Sequence, residues 1–470
     1  MRLPAALFPL ALIALSPSAL GQSAFEKHFE AIAWEKYQDE AVRLLQEYLR
    51  IDTSNPPGNE MKAAEFFKRL FDEAGIPNTV YPYAPVHANI FAILKGDGSE
   101  RPMVLLNHMD VVHADPKSWR APPFAGEIVS GELYGRGALD MKDEGLLQAV
   151  IMLIAWREHL PLKRDLVFLA TADEEVDDTG SAWMIANHPE LVQDAQYLIT
   201  EGGSNLIYPG PKVIYGIGAA EKAPFWIRMV AHGRGGHGSI PIADSAPNRL
   251  ARAMCRVVNW QTPIHLLPQV EEYFHQIAKL EKEPRARQFL EIRRSLEDPA
   301  LVKEITADER YNYLLRDTVS LTVLKGGPQT NVIPDTASCD LDIRLLPGED
   351  PQAFLAELGS VVADGHIDLV PISVFRPPNS SPITTPLYRI IEQVVHEYSP
   401  QALVTPVLNG GYNESQMYRP LGINSYGFAP IELTPEVEET EHAPNERIPV
   451  DQLRRGLKML YEVVGRMESQ

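Results

Sequence analysis

The stretch DLVFLATADEEVDDTG (165–180) contains an apolar run that ends beside two adjacent acids, Glu174 and Glu175. Residues 165–172 are apolar almost without interruption, which predicts a strand that is buried on both faces. A buried carboxylate is costly unless a partner of opposite charge neutralises it. Two acids at the end of a core strand therefore indicate a site that holds a positive partner.

Strands and helices alternate on both sides of this run. HANIFAILKG (87–96), RPMVLLNHMD (101–110) and YLIT (197–200) predict further strands, and residues 24–50, 59–75 and 141–159 have the apolar spacing of helices. This alternation is typical of an α/β fold. We therefore predict a mainly parallel sheet with helices on both faces.

The pattern changes near residue 219. Segments 225–233, 318–327, 337–348 and 367–375 predict strands, whereas 245–260 and 351–364 predict helices. This β-α-β-β-α-β order is typical of a small two-layer domain, and a charged helical insert interrupts it at about 265–316. We predict an α/β domain in two parts, 22–218 and 378–470, separated by an inserted domain at 219–377.

Composition narrows the class of protein. The chain has 470 residues, which exceeds one ordinary domain, and 45% of them are hydrophobic, which excludes global disorder. Its formal net charge of −20 argues against nucleic acid as a partner, because phosphate binding needs an excess of Lys and Arg. If the protein is exported, Cys255 and Cys339 could form a disulfide. The favoured interpretation is that both cysteines are small, buried hydrophobic residues.

The first residues, MRLPAALFPLALIALSPSALG (1–21), predict a signal peptide. Ala19 and Gly21 fit the −3 and −1 positions of a cleavage site, so that the mature chain would begin at Gln22. An uncleaved anchor is the alternative, but the apolar run is short and contains two prolines. We therefore expect an exported protein, periplasmic or secreted, without membrane contact after cleavage.

Acids and histidines follow the predicted strands where ligands collect in α/β sheets, at the carboxyl ends. These candidates are His108, Asp110, Asp140, Glu174, Glu175 and Glu201, with His442 near the end of the chain. Each has an ordinary alternative, such as a packed histidine, a helix cap or a solvated acid pair. Together these alternatives fail, because the apolar runs before the candidates leave little solvated surface.

Imidazole and carboxylate donors without thiolate suit catalytic zinc or a related divalent ion. Five candidate positions, the four strand ends and His442, are too many for one open zinc site but suit two metals that share a carboxylate. The His-x-Asp spacing adds a second prediction. Residues i and i+2 of a strand face the same way, so Asp110 can reach the second ring nitrogen of His108 and fix its tautomer.

Seven segments resemble the co-catalytic zinc peptidases that include glutamate carboxypeptidase, aminoacylase, carnosinase and succinyl-diaminopimelate desuccinylase. The segments are NHMDVV, YGRGALDMKDEG, TADEEVDDTG, TEGG, GRGGHGS, NVIPDTASCDLDIRLLPG and NGGYNES. Together with the later histidine, they extend from about residue 104 to residue 442, in the family's order. The insert around EEYFHQIAKLEKE also resembles the branch that contains carboxypeptidase S and secreted fatty-acyl amino-acid hydrolases.

The resemblance implies a role for each candidate. Asp140 would bridge two divalent ions, with zinc favoured and cobalt or manganese as alternatives. His108 and Glu201 would complete the ligands of one ion, and Glu175 and His442 those of the other. Glu174 would be the general base, and the Asp140–Met141 peptide bond would be cis.

The resemblance also assigns residues of the inserted domain, which would act as a lid and dimerisation domain. His237 would reach the active site of a partner subunit in a homodimer and stabilise the oxyanion. An incidental histidine in a Gly-rich turn is the alternative. Asn331 and Arg344 would bind the carboxylate of a small-molecule or short-peptide substrate, and Gly411 would donate its backbone N–H.

The sequence departs from the family pattern in two places. Asp143 and Glu144 stand where many relatives have Gly-Gly, and Glu201 stands where many peptidases of the family have Asp. The glutamate favours an aminoacylase-like substrate, an N-acyl amino acid. Alternatives are a zinc carboxypeptidase or dipeptidase, an esterase that uses the same water, and, more remotely, a non-catalytic exported binding protein.

Overall fold

The computed structural model describes residues 23–176, 178–203, 205–207 and 213–469. The predicted signal peptide, residues 1–21, lies outside the described residues. Among the described helices, none is both long enough and apolar enough to cross a bilayer.

Helices are distributed along the whole described chain. They are α1 (Ala24–Ala31), α2 (Trp34–Leu49), α3 (Glu60–Ala74), α4 (Lys142–Arg157), α5 (Thr179–Asn187), α6 (Ala246–Asn259), α7 (Pro268–Ile277), α8 (Arg285–Leu290), α9 (Ile292–Ser295), α10 (Pro299–Ile305), α11 (Glu309–Leu315), α12 (Pro351–Val362), α13 (Pro386–Tyr398), α14 (Ser415–Tyr418), α15 (Pro435–Glu438) and α16 (Val450–Ser469).

Within the described residues, the strands form two main sheets and two small ones. They are β1 (Asn78–Pro82), β2 (Ala88–Leu94), β3 (Met103–His108), β4 (Glu127–Val129), β5 (Glu132–Tyr134), β6 (Leu166–Thr171), β7 (Tyr197–Thr200), β8 (Asn205–Ile207), β9 (Val213–Glu221), β10 (Ala223–Pro224), β11 (Ile227–His232), β12 (Gly236–His237), β13 (Thr318–Lys325), β14 (Val332–Ile333), β15 (Thr336–Leu345), β16 (Ile367–Pro371), β17 (Leu403–Asn409), β18 (Asn424–Gly427) and β19 (Arg447–Pro449).

The larger sheet has the order β1-β2-β6-β3-β7-β18-β9-β17, with β8 beside β9. Its central strands β6, β3, β7 and β18 are parallel to one another, and antiparallel pairings flank them. The predicted α/β fold is confirmed. Because the central strands are parallel, their carboxyl ends meet at one edge, where the candidate residues follow them.

Strand β3 shows why the central strands are apolar at every position. Met103 and Leu105 belong to a core that helices α2, α3, α4, α13 and α16 cover. Val104 and Leu106 point to a second core, on the opposite face, which includes residues of α5 and α14. Alternate residues of a strand face opposite sides of the sheet, so helices on both faces require apolar residues throughout.

The smaller main sheet is antiparallel, with the order β10-β15-β11-β16 and with β13 beside β15. Helices α6 and α12 cover one of its faces. The chain order β11-α6-β13-β15-α12-β16 is the predicted two-layer order. Helices α7 to α11 form the predicted insert, and their apolar core includes Ala220 and Leu408 of the larger sheet and Leu346, which follows β15.

Both cysteines are free, and one prediction about them is wrong. Cys339 is buried in the core of the smaller sheet, but Cys255 is exposed. Helix α6 buries Leu250, Ala253 and Val257, which lie on one side of the helix. Cys255 is two residues from Ala253 and therefore lies on the opposite, solvent side.

Candidate metal centre

The parallel strands bring four of the candidate residues to one edge of the larger sheet. Strand β3 ends at His108, β6 is followed by Glu174 and Glu175, and β7 is followed by Glu201. Strand β3 is paired with both β6 and β7, so these three ends are neighbours. Asp140 approaches from the turn before α4.

The first group consists of His108, Asp140 and Glu201. The Nε2 atom of His108 lies 3.0 Å from Oδ1 of Asp140 and 3.8 Å from Oε2 of Glu201. One donor atom from each of the three side chains lies within 4.8 Å of the other two. His108 is fully buried, so its imidazole has a fixed position.

The second group consists of Asp140, Glu175 and His442. The Nε2 atom of His442 lies 2.9 Å from Oδ2 of Asp140 and 3.3 Å from Oε2 of Glu175. Asp140 therefore presents one carboxylate oxygen to each group. Oε1 of Glu175 is buried and has no hydrogen-bond partner among the described residues. A buried oxygen without a partner and a set of imidazole and carboxylate donors both fit bound divalent cations.

The cluster carries more negative charge than its histidines can balance. Burial and the charge of Asp140 raise the pKa of Glu201 to about 8. The hydrogen bonds that His442 donates to the carboxylates of Asp140 and Glu175 raise its pKa to about 10. Both shifts show that the cluster favours added positive charge, whether protons or metal ions.

Glu174 belongs to neither group but lies beside both. Burial, and then the charge of Glu201, raise the pKa of Glu174 well above its usual range. Its backbone N–H donates to Oδ1 of Asp110, and the N–H of Glu175 donates to Oδ2, each over 3.1 Å. Asp110 thus fixes the turn that carries the two glutamates.

Asp110 also lies at the second ring nitrogen of His108, although its carboxylate is not the nearest acceptor. Nδ1 of His108 is 3.1 Å from the backbone carbonyl oxygen of Asp110 and 3.5 Å from Oδ1. Strand β3 ends at His108. Beyond it the strand geometry assumed in the prediction no longer holds, and the carboxylate turns to the backbone of the glutamates.

Sequence reasoning did not single out Glu446, which supports the turn before α4. Its carboxylate accepts hydrogen bonds from the backbone of Gly137 at 3.0 Å and Leu139 at 2.8 Å, and from Nη1 of Arg136 at 2.6 Å. It lies four residues after His442, and that proximity was the available signal. The Asp140–Met141 peptide bond of this turn is cis, as the resemblance implies.

A cavity of about 590 Å³ opens over both groups. Glu174 and Gly411 line it, together with Glu144, which stands where many relatives have glycine. The remaining wall includes apolar residues, namely Leu139, Val176, Ala429, Ile431 and Leu433. The cavity therefore combines an acidic floor with an apolar side.

His237, Asn331 and Arg344 are absent from the described residues that line this cavity. His237 is exposed on the ribbon formed by β12 and β14, and Gly238 next to it donates to the backbone of Asn331 at 2.8 Å. Arg344 forms an ion pair with Asp342 at 2.8 Å. A single chain thus brings together the predicted metal ligands, Glu174 and Gly411, but not these three residues.

Comparisons with known proteins show what the chain is similar to. The human N-fatty-acyl-amino acid synthase/hydrolase PM20D1 is 29% identical over 392 residues, which cover 82% of this chain and 77% of that protein. The probable carboxypeptidase S-like 2 of Dictyostelium discoideum is 24% identical, over 79% of this chain and 73% of that protein. The structure of the M20 family metallo-carboxypeptidase Sso-CP2 from Sulfolobus solfataricus shares the fold, with a TM-score of 0.67 at 19% identity, over 91% of this chain and 98% of that one. The family profile of peptidase family M20/M25/M40 matches residues 104–466. The chain belongs to peptidase family M20/M25/M40.

Proposed function

We propose that the protein is a two-metal amidohydrolase that releases an amino acid with a free carboxylate from an N-acyl amino acid. The observation that carries the proposal is the position of Glu174 beside two ligand groups that share Asp140, on the floor of one cavity. A binding protein has no need of a carboxylate in this position.

Divalent cations, with zinc favoured, would be held by the two groups and would polarise the amide carbonyl and make water a stronger nucleophile. Glu174 takes the proton that water loses as its oxygen bonds to the carbonyl carbon. The same carboxylic acid then gives the proton to the amide nitrogen as the C–N bond breaks. Atoms balance: one water is consumed, and a carboxylic acid and an amine are released.

The apolar side of the cavity supports an acyl group as the part of the substrate that carries the amide carbonyl. Leu139, Ile431 and Leu433 provide a wall that an alkyl chain can contact without stranding a polar group. The name of the human relative, an N-fatty-acyl-amino acid synthase/hydrolase, supports the same substrate class. A carboxypeptidase or dipeptidase is the second candidate, because the other two similar proteins are named as carboxypeptidases.

The proposal includes a homodimer and export. His237 would enter the cavity of the partner subunit and stabilise the oxyanion, while Asn331, Arg344 and Gly411 would bind the substrate carboxylate. The exposure of His237 and its absence from the cavity of its own chain support the first part. The predicted signal peptide supports a periplasmic or secreted location.

Glutamine substitutions at the two adjacent glutamates test the division of roles. Glu174→Gln should keep two zinc ions per chain and lose turnover by at least about 10²-fold, because the amide cannot accept a proton. Glu175→Gln should lose zinc, because it removes a ligand charge. Metal content by plasma mass spectrometry and hydrolysis rates give the comparison, with the exposed Glu436→Gln as control. Substantial turnover by Glu174→Gln would refute the base assignment.

A substrate panel and a chelator separate the remaining candidates. N-acyl amino acids should be cleaved faster than dipeptides or matched esters by the zinc-loaded enzyme. Dialysis against a chelator should abolish turnover, and added zinc should restore it. Indifference to the chelator would refute the metal-dependent mechanism, and bound zinc without turnover of any amide or ester would favour the binding protein.

A further inference from the structure

The loop between α2 and α3 lies directly behind the candidate metal centre. It has the sequence DTSNPPGN (52–59). The backbone N–H of Val111 donates to the carbonyl of Thr53 at 3.2 Å, and the N–H of Asn55 donates to the carbonyl of Val111 at 2.9 Å. These bonds, with the bridge between Ser54 and Val111, hold the loop parallel to the chain that carries Asp110.

This alignment places the carboxamide of Asn55 between two carboxylates. Its Nδ2 atom lies 3.0 Å from Oδ2 of Asp110 and 2.6 Å from Oδ1 of Asp173. Asn55 is only 8% exposed, so water has little access to this contact. A primary amide has two N–H groups, and each can serve one carboxylate.

The two carboxylates belong to different parts of the site. Asp110 accepts the backbone N–H groups of Glu174 and Glu175 and lies against the ring of His108. Asp173 immediately precedes Glu174, has a left-handed φ of 70°, and accepts a hydrogen bond from Thr179. Asn55 is thus a direct connection between the support of the histidine and the start of the glutamate turn.

We propose that Asn55 is a positioning residue that holds the His108–Asp110 pair and the Glu174–Glu175 turn in one fixed arrangement. The inference rests on the proposed function, because it acts through the predicted ligands and base. Two carboxylates that share one donor, with Asp110 fully buried and Asp173 half-buried, would repel each other without it. A hydroxyl has only one hydrogen to donate, and an aspartate has none, so few residues other than asparagine can satisfy both acids.

Substitution of Asn55 tests this role through zinc affinity, measured without substrate by competition with a chromophoric chelator. Loss of a residue that orients a metal ligand commonly costs about 10–100-fold in metal affinity or activity. We expect Asn55→Ala and Asn55→Asp to weaken zinc binding by this factor. We expect kcat to fall by a similar factor with KM changed less than about threefold, because the base turn shifts and the substrate pocket does not.

Asn107→Ala is the matched control. Asn107 is a buried asparagine next to His108, but its side chain donates to Oε1 of Gln148 at 2.9 Å, away from the ligand groups. This variant should lose stability without a change in zinc affinity. If Asn55→Ala does not fold, Asp173→Asn weakens the same connection from the other side and should show the same effects at smaller size.

The outcomes distinguish this inference from the proposed function. If the Asn55 variants keep the wild-type zinc affinity and kcat, or change them no more than Asn107→Ala does, the positioning role is overturned. The proposed function would still stand in that case. A wild-type protein that binds no zinc would overturn the proposed function itself. Weaker zinc binding in the Asn55 and Asp173 variants, but not in Asn107→Ala, supports the positioning role of Asn55.

Discussion

Replacement of Gly427 by alanine is expected to displace a predicted metal ligand without touching its side chain. Gly427 ends strand β18, beside the segment Glu201–Gly202 that follows β7. A Cβ atom at this position would lie 2.3 Å from the carbonyl oxygen of Glu201 and 2.6 Å from the carbonyl carbon of Gly202. Both atoms belong to the backbone, so no side-chain rotation can relieve the contact.

The size of the displacement follows from these distances. Ordinary contacts of a Cβ atom begin at 3.4 Å, whereas the carbonyl oxygen of Glu201 would be at 2.3 Å. The segment must therefore retreat by about 1 Å, and a shift of that size in an active site can cost about 10²-fold in rate. Overpacking of this kind also lowers the free energy of unfolding by about 1–3 kcal/mol.

Zinc content, hydrolysis rate and urea unfolding of Gly427→Ala provide the assay. We expect a loss of zinc from the group that contains Glu201, a rate lowered by about 10²-fold and a lower unfolding free energy. Gly326→Ala is the control, because a Cβ atom there meets no atom of the described residues within 4 Å and its φ is not left-handed. A Gly427→Ala enzyme with two zinc ions and the wild-type rate would refute the reasoning.

Two further predictions concern pH dependence and subunit exchange. Burial raises the pKa of Asp317 to about 6. The folded state thus disfavours its charged form, and the free energy of unfolding should fall as pH rises from about 4 to about 6, by at most about 3 kcal/mol. Asp317→Asn should lack this decline when its free energy of unfolding is measured by urea titration at each pH. If the wild type and Asp317→Asn show the same slope against pH, the buried Asp317 is not the cause. Mixed His237→Ala and Glu174→Gln subunits should regain about a quarter of wild-type turnover, because half the dimers would contain one intact site. No recovery after verified exchange would exclude action across the dimer.

The sequence contained enough to predict the α/β fold and the clustering of the acids and histidines. Continuous apolar runs indicated strands covered on both faces, and parallel strands with acids at their carboxyl ends bring those acids to one edge. This is why His108, Glu175 and Glu201 could be grouped from the sequence. The division of roles between Glu174 and Glu175 came from the family resemblance, because spacing shows only that neighbours point in different directions.

The supporting contacts could not be predicted in the same way. Asn55 and Glu446 lie at opposite ends of the chain, and their contacts depend on how loops pack, which apolar periodicity does not describe. Periodicity also shows which side of a helix is buried but not its partner. The helical insert was therefore predicted as helices, whereas its contact with the larger sheet was not.

That contact has a consequence for how the protein unfolds. The apolar core of the insert includes Ala220 and Leu408 from the larger sheet and Leu346, which directly follows strand β15 of the smaller one. Residues of the larger sheet and the residue after β15 thus bury surface in a common interior, and separating the two sheets would expose it to water at a free-energy cost. Chain segments that share a core lose their structure together, so the two sheets should melt as one cooperative unit rather than in independent steps.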